Sequence, residues 1–535
     1  MKQLGFNFLL ICSLFSVTYL SDAMGNYDVS KTRPNIVFIF SDDHATQAVS
    51  AYGHEISKIA QTPHIDHIAD QGIRFDRCLV GNSICGPSRA TILTGTHSHI
   101  NKFYSNERTK FDGSQPTFPK ILQTVDYQTA LIGKWHLASD PTGFDHWEIL
   151  PGQGSYYNPD FLTPAGKHRE EGYVSELITD KAITWLEEQC ETEKPFLLMV
   201  QHKAPHRDWS PAPKYLDLFD DITLPEPDTL FDDYEGRGSA ARDQDMTIEK
   251  SMLLGSDLKV DAFYTNRYNR MNEEQIKIFQ AAYLDENTFL KENQLSGDEL
   301  VSWKYQRYLK DYLRCVKSVD DCVGEVWSWL EDHDLLNNTI FIYSSDQGFY
   351  LGEHGWFDKR FMYDESYRTP LVMSWPGVIE PGSVSKDLVS NLDFAQTFLE
   401  AAGATAHPRM QGESLFPILL GDSSIPWRDS HYYHYYEYPG WHMVYRHEGV
   451  YDGRYKLMHF YDIDEWEMYD CLHDPKEMRN CYHDITYMLV KERLHKELIR
   501  LREYYDVPPN EPKETKGKGL HYHSNERKAR TGDRS

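Results

Sequence analysis

The run Cys85-Gly86-Pro87-Ser88-Arg89, continuing Ala90-Thr91-Ile92-Leu93-Thr94-Gly95, puts a sulfur nucleophile, a turn-setting proline and a cation close together. Pro87 presets φ and stops a strand from continuing. The apolar stretch after Arg89 reads as the start of a helix, with Cys85 at its N-terminus. Backbone N–H groups and the helix dipole favour negative charge there, so the position suits a thiolate or an oxyanion. A lone cysteine at such a junction is by default a small buried packing residue. The spacing Cys-x-Pro-x-Arg sets this one apart.

Acidic residues follow two other apolar runs. Asp42 and Asp43 come directly after Ile36-Val37-Phe38-Ile39-Phe40-Ser41, and Asp346-Gln347-Gly348 comes after Thr339-Ile340-Phe341-Ile342-Tyr343. One Asp after a strand is ordinarily a cap or a turn former. Two strands that each end in oxygen donors would present three carboxylates and an amide to one point. That is a hard, all-oxygen set suited to Ca²⁺ or Mg²⁺ and not to zinc. Basic residues recur at similar places: Lys134 and His136 in Gly133-Lys134-Trp135-His136, His206 in Ala204-Pro205-His206-Arg207, and Lys359 beyond Trp356-Phe357-Asp358. Singly, each reads as a solvated lysine or a structural histidine. Together they would make a local positive pocket.

The elements that must position these residues are strands buried on both faces, which read as continuous apolar runs. Such runs occur at 36–40, 129–132, 195–200, 339–343 and 370–373, separated by helical patterns at 176–186 and about 301–330. Thr62-Pro63 marks a further helix start, with Thr62 at the cap. The alternation predicts an α/β fold with a large, mostly parallel sheet flanked by helices and with ligands at the strand carboxyl ends. Residues 224–300 read as an acidic, irregular surface excursion. From about Trp427 the pattern changes to a smaller antiparallel sheet, with strands near 432–438 and 455–460 and a helix at 491–505. The domain reading is 1–23 signal peptide, 24–425 catalytic domain, 426–510 C-terminal subdomain and 511–535 disordered tail.

A chain of 535 residues with net charge −27 is a poor partner for nucleic acid or an anionic membrane surface. The apolar run Leu4–Leu20 after Lys2, ending near Ala23, fits a secretory signal peptide, so export to the periplasm or medium is expected. No later segment is long and apolar enough to span a bilayer. Of the cysteines, Cys471 and Cys481 lie close enough in sequence to pair, Cys315 and Cys322 sit two helical turns apart, and Cys78 and Cys190 read as packing residues.

The Cys85–Gly95 run resembles the signature of the type I, formylglycine-dependent sulfatases, in which a maturation enzyme oxidises the cysteine to an aldehyde. The hydrated aldehyde is that family's nucleophile. Arg33-Pro34-Asn35, Leu351-Gly352-Glu353-His354-Gly355-Trp356 and Glu465-Trp466-Glu467-Met468-Tyr469-Asp470 extend the resemblance over nearly the whole chain. It implies an alkaline-phosphatase-like sulfatase fold and a Ca²⁺ site (Mg²⁺ the alternative) made by Asp42, Asp43, Asp346, Gln347 and the modified Cys85. It implies catalytic roles for Cys85, Arg89, Lys134, His136, His206 and Lys359: sulfate binding, proton donation by His206 or Lys359, and proton acceptance by His136. It also implies a sulfated glycan as substrate and a formylglycine-generating or anaerobic maturation enzyme as partner. Asp42–Ala48, Lys203–Arg207, Phe231–Gly238 and His434–Pro439 are similar to one branch, the exported bacterial N-acetylglucosamine-6-O-sulfatases. On that likeness, His434–Trp441 with Arg446 and His447 is where sugar contacts are expected. Sulfatases of galactosamine or uronate, and metal-dependent phosphatases of the same fold, are the alternatives.

Overall fold

The computed structural model describes residues 33–106, 109–191, 193–260 and 270–509. The segments read as signal peptide and tail lie outside the described residues. At the centre stands β1 (Asn35–Ser41), every residue of which is buried. Its side chains alternate: Val37 and Ile39 enter one apolar cluster, and Ile36, Phe38 and Phe40 enter another on the opposite face. A strand buried on both faces needs apolar residues at every position, which is why the run is continuous. Phe38 packs edge-on against Phe394 and Phe398 with ring centroids 5.7 and 5.4 Å away. Truncating such a residue to alanine costs ~3–5 kcal/mol.

The sheet, of ten strands among the described residues, contains in chain order β1, β2 (Ile73–Phe75), β3 (Gln128–Lys134), β4 (His146–Leu150), β5 (Asp160–Thr163), β6 (Gly166–Arg169), β7 (Phe196–Gln201), β8 (Thr339–Ser345), β9 (Leu371–Ser374) and β10 (Ser383–Ser385). Their spatial order is β10-β2-β9-β8-β1-β7-β3-β4-β5-β6. β8, β1, β7, β3 and β4 run parallel, and antiparallel pairings appear on either side, β9 with β8 and β5 with β4. Parallel strands end on one edge, so whatever follows β1, β3, β7 and β8 is gathered there. Helices Pro63–Asp70, Val174–Glu188 and Gly297–Asp332 contribute to one apolar cluster, and Cys85–Thr94 and Asp393–Ala401 to the other.

Two expectations change in detail. Thr62 stands at the cap position of the 63–70 helix, but its hydroxyl accepts from the Ser50 N–H at 2.9 Å. The free amides of His64 and Ile65 are met instead by Asp320 Oδ1, both at 3.0 Å. The 224–300 stretch is not irregular throughout: Glu273–Asn293 is a helix opened by a capping box between Asn272 and Gln275. Phe279, Tyr283 and Leu290 are its buried residues, and so thin an apolar stripe in a charged sequence hides the helical period.

Beyond Trp427 a four-stranded antiparallel sheet forms from His431–Tyr435, His447–Tyr451, Tyr455–Phe460 and Glu465–Asp470, covered by the helix Met488–Tyr504. Tyr432, Val450 and Leu457 face that helix. Tyr433, Tyr435 and Met458 instead share a cluster with Tyr350, Trp356, Phe361 and Tyr363, which lie between β8 and β9. Cys471 and Cys481 are free thiols, as are Cys78, Cys85, Cys190, Cys315 and Cys322. The Cys481 thiol instead lies 3.1 Å from the Met468 carbonyl. Among the described residues no helix is long and apolar enough to cross a membrane.

Candidate active site

At the carboxyl edge of the sheet, Asp42, Asp43 and Asp346 each bring one carboxylate oxygen within 4.8 Å of the others, and all three are fully buried. Asp43 leaves the strand in the left-handed region, φ 68°, a conformation aspartate tolerates better than most residues. Its backbone N–H donates to Asp346 Oδ1 at 3.1 Å, tying the two strand ends together. Asp42 Oδ1, Asp43 Oδ2 and Gln347 Oε1 are buried without a hydrogen-bond partner among the described residues. Burial pushes the Asp43 carboxyl up to about 7, with Asp346 and Asp358 adding to the rise and Lys359 opposing it. Three crowded carboxylates, two of them with bare oxygens, beside a bare amide oxygen fit a hard divalent cation, whose charge would keep them ionised.

Cys85 opens the helix Cys85–Thr94, as its surrounding sequence predicts, and it is fully buried. Cys85 Sγ, an Asp42 carboxylate oxygen and a His206 ring nitrogen also lie within 4.8 Å of one another. The thiolate expectation does not hold. Burial, with Asp43 and Asp346 adding, pushes the thiol up to about 12 against the pull of Lys359 and Arg89. The helix N-terminus here serves an oxygen nucleophile or a bound anion better than a thiolate.

Arg89, one turn on, reaches back into the cluster. Its Nε and Nη2 donate to Asp346 Oδ2 at 3.0 and 2.9 Å, and its Nη1 donates to Gln201 Oε1 at 3.0 Å and to the Lys134 carbonyl at 2.5 Å. Its guanidinium also lies over the Phe40 ring. Lys134, the last residue of β3, pairs with Asp42 and donates to Gln153 Oε1. Lys359 Nζ donates to Asp43 Oδ1 at 2.5 Å. Burial alone would lower this ammonium; Asp43, Cys85 and Asp358 reverse that and hold it above the usual lysine range.

The two histidines behave differently from Lys359. Burial, then the charges of Lys134, Arg89, Lys359 and Lys203, hold His136 well below the ordinary imidazole range, and its Nδ1 has no hydrogen-bond partner among the described residues. His206 is lowered by burial and by Lys134, Lys359 and Lys203, against a hydrogen bond to the Arg207 carbonyl. His206 Nδ1 is 2.7 Å from that carbonyl, and its Nε2 is 3.8 Å from Asp43 Oδ2.

Of the residues named from sequence, Asp42, Asp43, Cys85, Arg89, Lys134, His206, Asp346 and Lys359 therefore meet at one point, and His136 lies within reach of their charges. Several neighbours were not named from sequence, although Glu437 falls inside the run where sugar contacts are expected. Gln201 ends β7, so the strand-end rule that nominated Asp42 also reaches it; Gln153 has no local signal. Arg360, beside Lys359, is buried and adopts φ 98°, with Nε 3.3 Å from Asp358 Oδ1 and Nη1 3.9 Å from Glu437 Oε1. His442 Nε2 is 3.2 Å from Asp358 Oδ2. Glu437 Oε2 accepts from the Asn106 N–H at 2.8 Å, and Asn106 Oδ1 accepts from the Gly86 N–H at 2.8 Å, which ties this corner to the Cys85 helix.

Three other residues expected near the sugar have partners of their own. His434 is buried, stacked on Tyr436 at 3.8 Å and bonded to Tyr432 and Tyr461. His447 is fully buried within the small sheet, and Arg446 pairs with Asp462. His434 and His447 sit in strands of the small sheet whose inward positions are taken by packing, and Arg446 directly precedes one of them; the sequence pattern did not separate these positions from a binding surface.

The family profile described as Sulfatase matches residues 34–404, and the profile described as N-sulphoglucosamine sulphohydrolase, C-terminal, matches 352–504. An N-acetylglucosamine-6-O-sulfatase of Bacteroides thetaiotaomicron is 50% identical over 90% of this chain and 88% of its own length. The N-acetylglucosamine-6-sulfatase of Homo sapiens is 28% identical over 74% of this chain and 66% of its own. The solved structure of BT4656 in complex with its substrate D-glucosamine-2-N,6-O-disulfate superposes with TM-score 0.87 at 48% identity, covering 90% of this chain and all of that one.

Proposed function

Because the chain belongs to the sulfatase family, we propose that it hydrolyses the 6-O-sulfate of terminal N-acetylglucosamine or glucosamine residues in sulfated glycans. The observation that carries the reading is the meeting of bare carboxylate and amide oxygens with Cys85 and a ring of buried cations at one strand edge. The substrate assignment is supported by the half-identical relative and by the substrate named for the similar solved structure.

Asp42, Asp43, Asp346, Gln347 and the modified Cys85 would hold the cation, Ca²⁺ with Mg²⁺ as the alternative. When bound, the cation and a formylglycine made from Cys85 supply, respectively, Lewis-acid polarisation of sulfate and a hydroxyl nucleophile. Lys134 and Lys359 neutralise the sulfate oxygens in a buried pocket, where fixed charges act strongly. Arg89 holds Asp346 and the Lys134 backbone in place. His206, with Lys359 as the alternative, gives a proton to the departing sugar oxygen; the anionic sulfate ester offsets the lysine charges that otherwise keep the His206 imidazole neutral. His136, neutral and with a bare nitrogen, accepts a proton from the nucleophile's side. Arg360, flanked by Asp358 and Glu437, offers donors to the sugar ring. The pocket also reconciles an anionic substrate with a chain of net charge −27, since its cations are gathered at one place.

The leader-like run Leu4–Leu20 supports export, with 24–425 as catalytic domain, 426–510 as subdomain and a maturation enzyme acting on Cys85. The test is sulfate release from glucosamine-6-sulfate and N-acetylglucosamine-6-sulfate beside a 6-sulfated galactosamine control, after co-expression with a maturation enzyme. The mass of the Cys85 peptide is read in the same sample. Release from the gluco sugars alone is expected. Formylglycine present without release from either gluco sugar refutes the substrate assignment.

A further inference from the structure

The loop that carries His206 is held from outside the sheet by a distant segment. The Arg207 side chain makes two bonds to Asp257, Nε to Oδ1 at 2.8 Å and Nη2 to Oδ2 at 2.6 Å, and Asp257 is buried. The Arg207 guanidinium lies over the Phe357 ring at 5.0 Å, two residues before Lys359. Lys259 Nζ donates at 2.8 Å to each of the Asp208 and Trp209 carbonyls and to Asp311 Oδ2 of the 297–332 helix. Asp257 Oδ2 also accepts from the Leu253 N–H at 2.8 Å, so it is itself held in place. The peptides that follow His206 are thus fixed on both sides.

That fixation bears on which nitrogen of His206 faces the reaction. The Arg207 carbonyl is only an acceptor, so His206 Nδ1 must carry a proton toward it. Nε2, on the Asp43 side, is then the nitrogen that gains and loses a proton. We propose that Asp257 is a positioning residue. By anchoring Arg207 it holds the carbonyl that sets the His206 tautomer and aims Nε2 at the leaving oxygen. Nε2 takes up a proton from solvent when the anionic sulfate ester enters and offsets the neighbouring lysine charges; that proton then leaves Nε2 for the sugar oxygen as the sulfur–oxygen bond breaks, while Nδ1 keeps its own proton on the carbonyl. Part of the 224–300 stretch, read from sequence as a surface excursion, thereby acts on the proton donor.

The inference rests on His206 as donor, and a double-mutant cycle separates the two claims. Asp257→Asn removes the charge and one acceptor while keeping side-chain size. It is expected to lower kcat by about 10-fold with KM within about 2-fold, since small misplacement of a catalytic group is costly. In a His206→Ala background the same change is expected to alter kcat by less than about 2-fold, because the pair acts through one side chain. Asp257→Glu, which retains the charge, is expected to recover part of the loss. Equal fold-losses in both backgrounds, or a loss confined to KM, would overturn the positioning role. Where Asp257→Asn does not fold, Arg207→Gln removes the same anchor from the other side and enters the same cycle with the same expected outcomes. Full activity in His206→Ala alone would instead refute the donor assignment.

Discussion

His447 links the small sheet to the segment that carries Lys359 and Arg360. Its Nε2 accepts from the Met362 N–H at 3.2 Å, so that nitrogen is bare, and Nδ1 donates to the Tyr445 carbonyl at 2.9 Å. The ring is therefore neutral, and a second proton would set two N–H groups against each other. Burial lowers the imidazole from 6.5 to about 4, against the pull of the Tyr445 carbonyl. Because the folded value is depressed, the unfolded chain binds the proton first as pH falls. The contribution is present above about 6.5 and is lost progressively toward 4. Linkage over that window puts the loss between pH 7 and pH 5 at about 2 kcal/mol for this residue. His447→Gln keeps an acceptor and a donor without titrating. Urea unfolding of both proteins at pH 7, 6 and 5 reads the difference, with the slope checked for constancy. Other buried histidines, including His44 and His99, are depressed to about 4 by burial as well, so both proteins lose stability in acid. The variant is expected to lose about 2 kcal/mol less. Parallel pH profiles for the two proteins would refute the assignment of a neutral, doubly bonded His447.

Cys85→Ala leaves no heteroatom on Cβ to become an aldehyde, and sulfate release from sugar sulfates should fall by at least ~1,000-fold, measured as steady-state release with the fold checked by circular dichroism. Chelator treatment should abolish activity and lower the thermal midpoint, and Ca²⁺ should restore both; activity and midpoint unchanged after chelation would refute the cation site. Arg360→Gln removes a buried cation beside the pocket and should lower kcat/KM on glucosamine-6-sulfate by ~10- to 150-fold, the worth of a charge-assisted hydrogen bond.

Much of the site was legible in the sequence because parallel strands are the most literal of elements. A run such as Ile36–Phe40 must be buried on both faces, its neighbours must run the same way, and residues just past its end must fall on one edge. Asp42, Asp43, Lys134, His206 and Asp346 follow from that rule, and the Cys-x-Pro-x-Arg spacing adds Cys85 and Arg89. Local chemistry also gave the helix that Cys85 opens. The protonation states did not follow, because they depend on what long-range packing brings near. Before any modification, burial beside Asp43 and Asp346 raises the Cys85 thiol against the favourable helix N-terminus. Arg360 and Glu437 are far apart in sequence and meet only where the small sheet packs against the segment after β8. Asp257 reaches Arg207 across fifty positions of weakly patterned chain. Periodicity reports which face of an element is buried, not which distant side chain lies against it. In this protein the strand-end chemistry was therefore set by the sequence itself, and the tuning and aiming of that chemistry were decided by tertiary contacts.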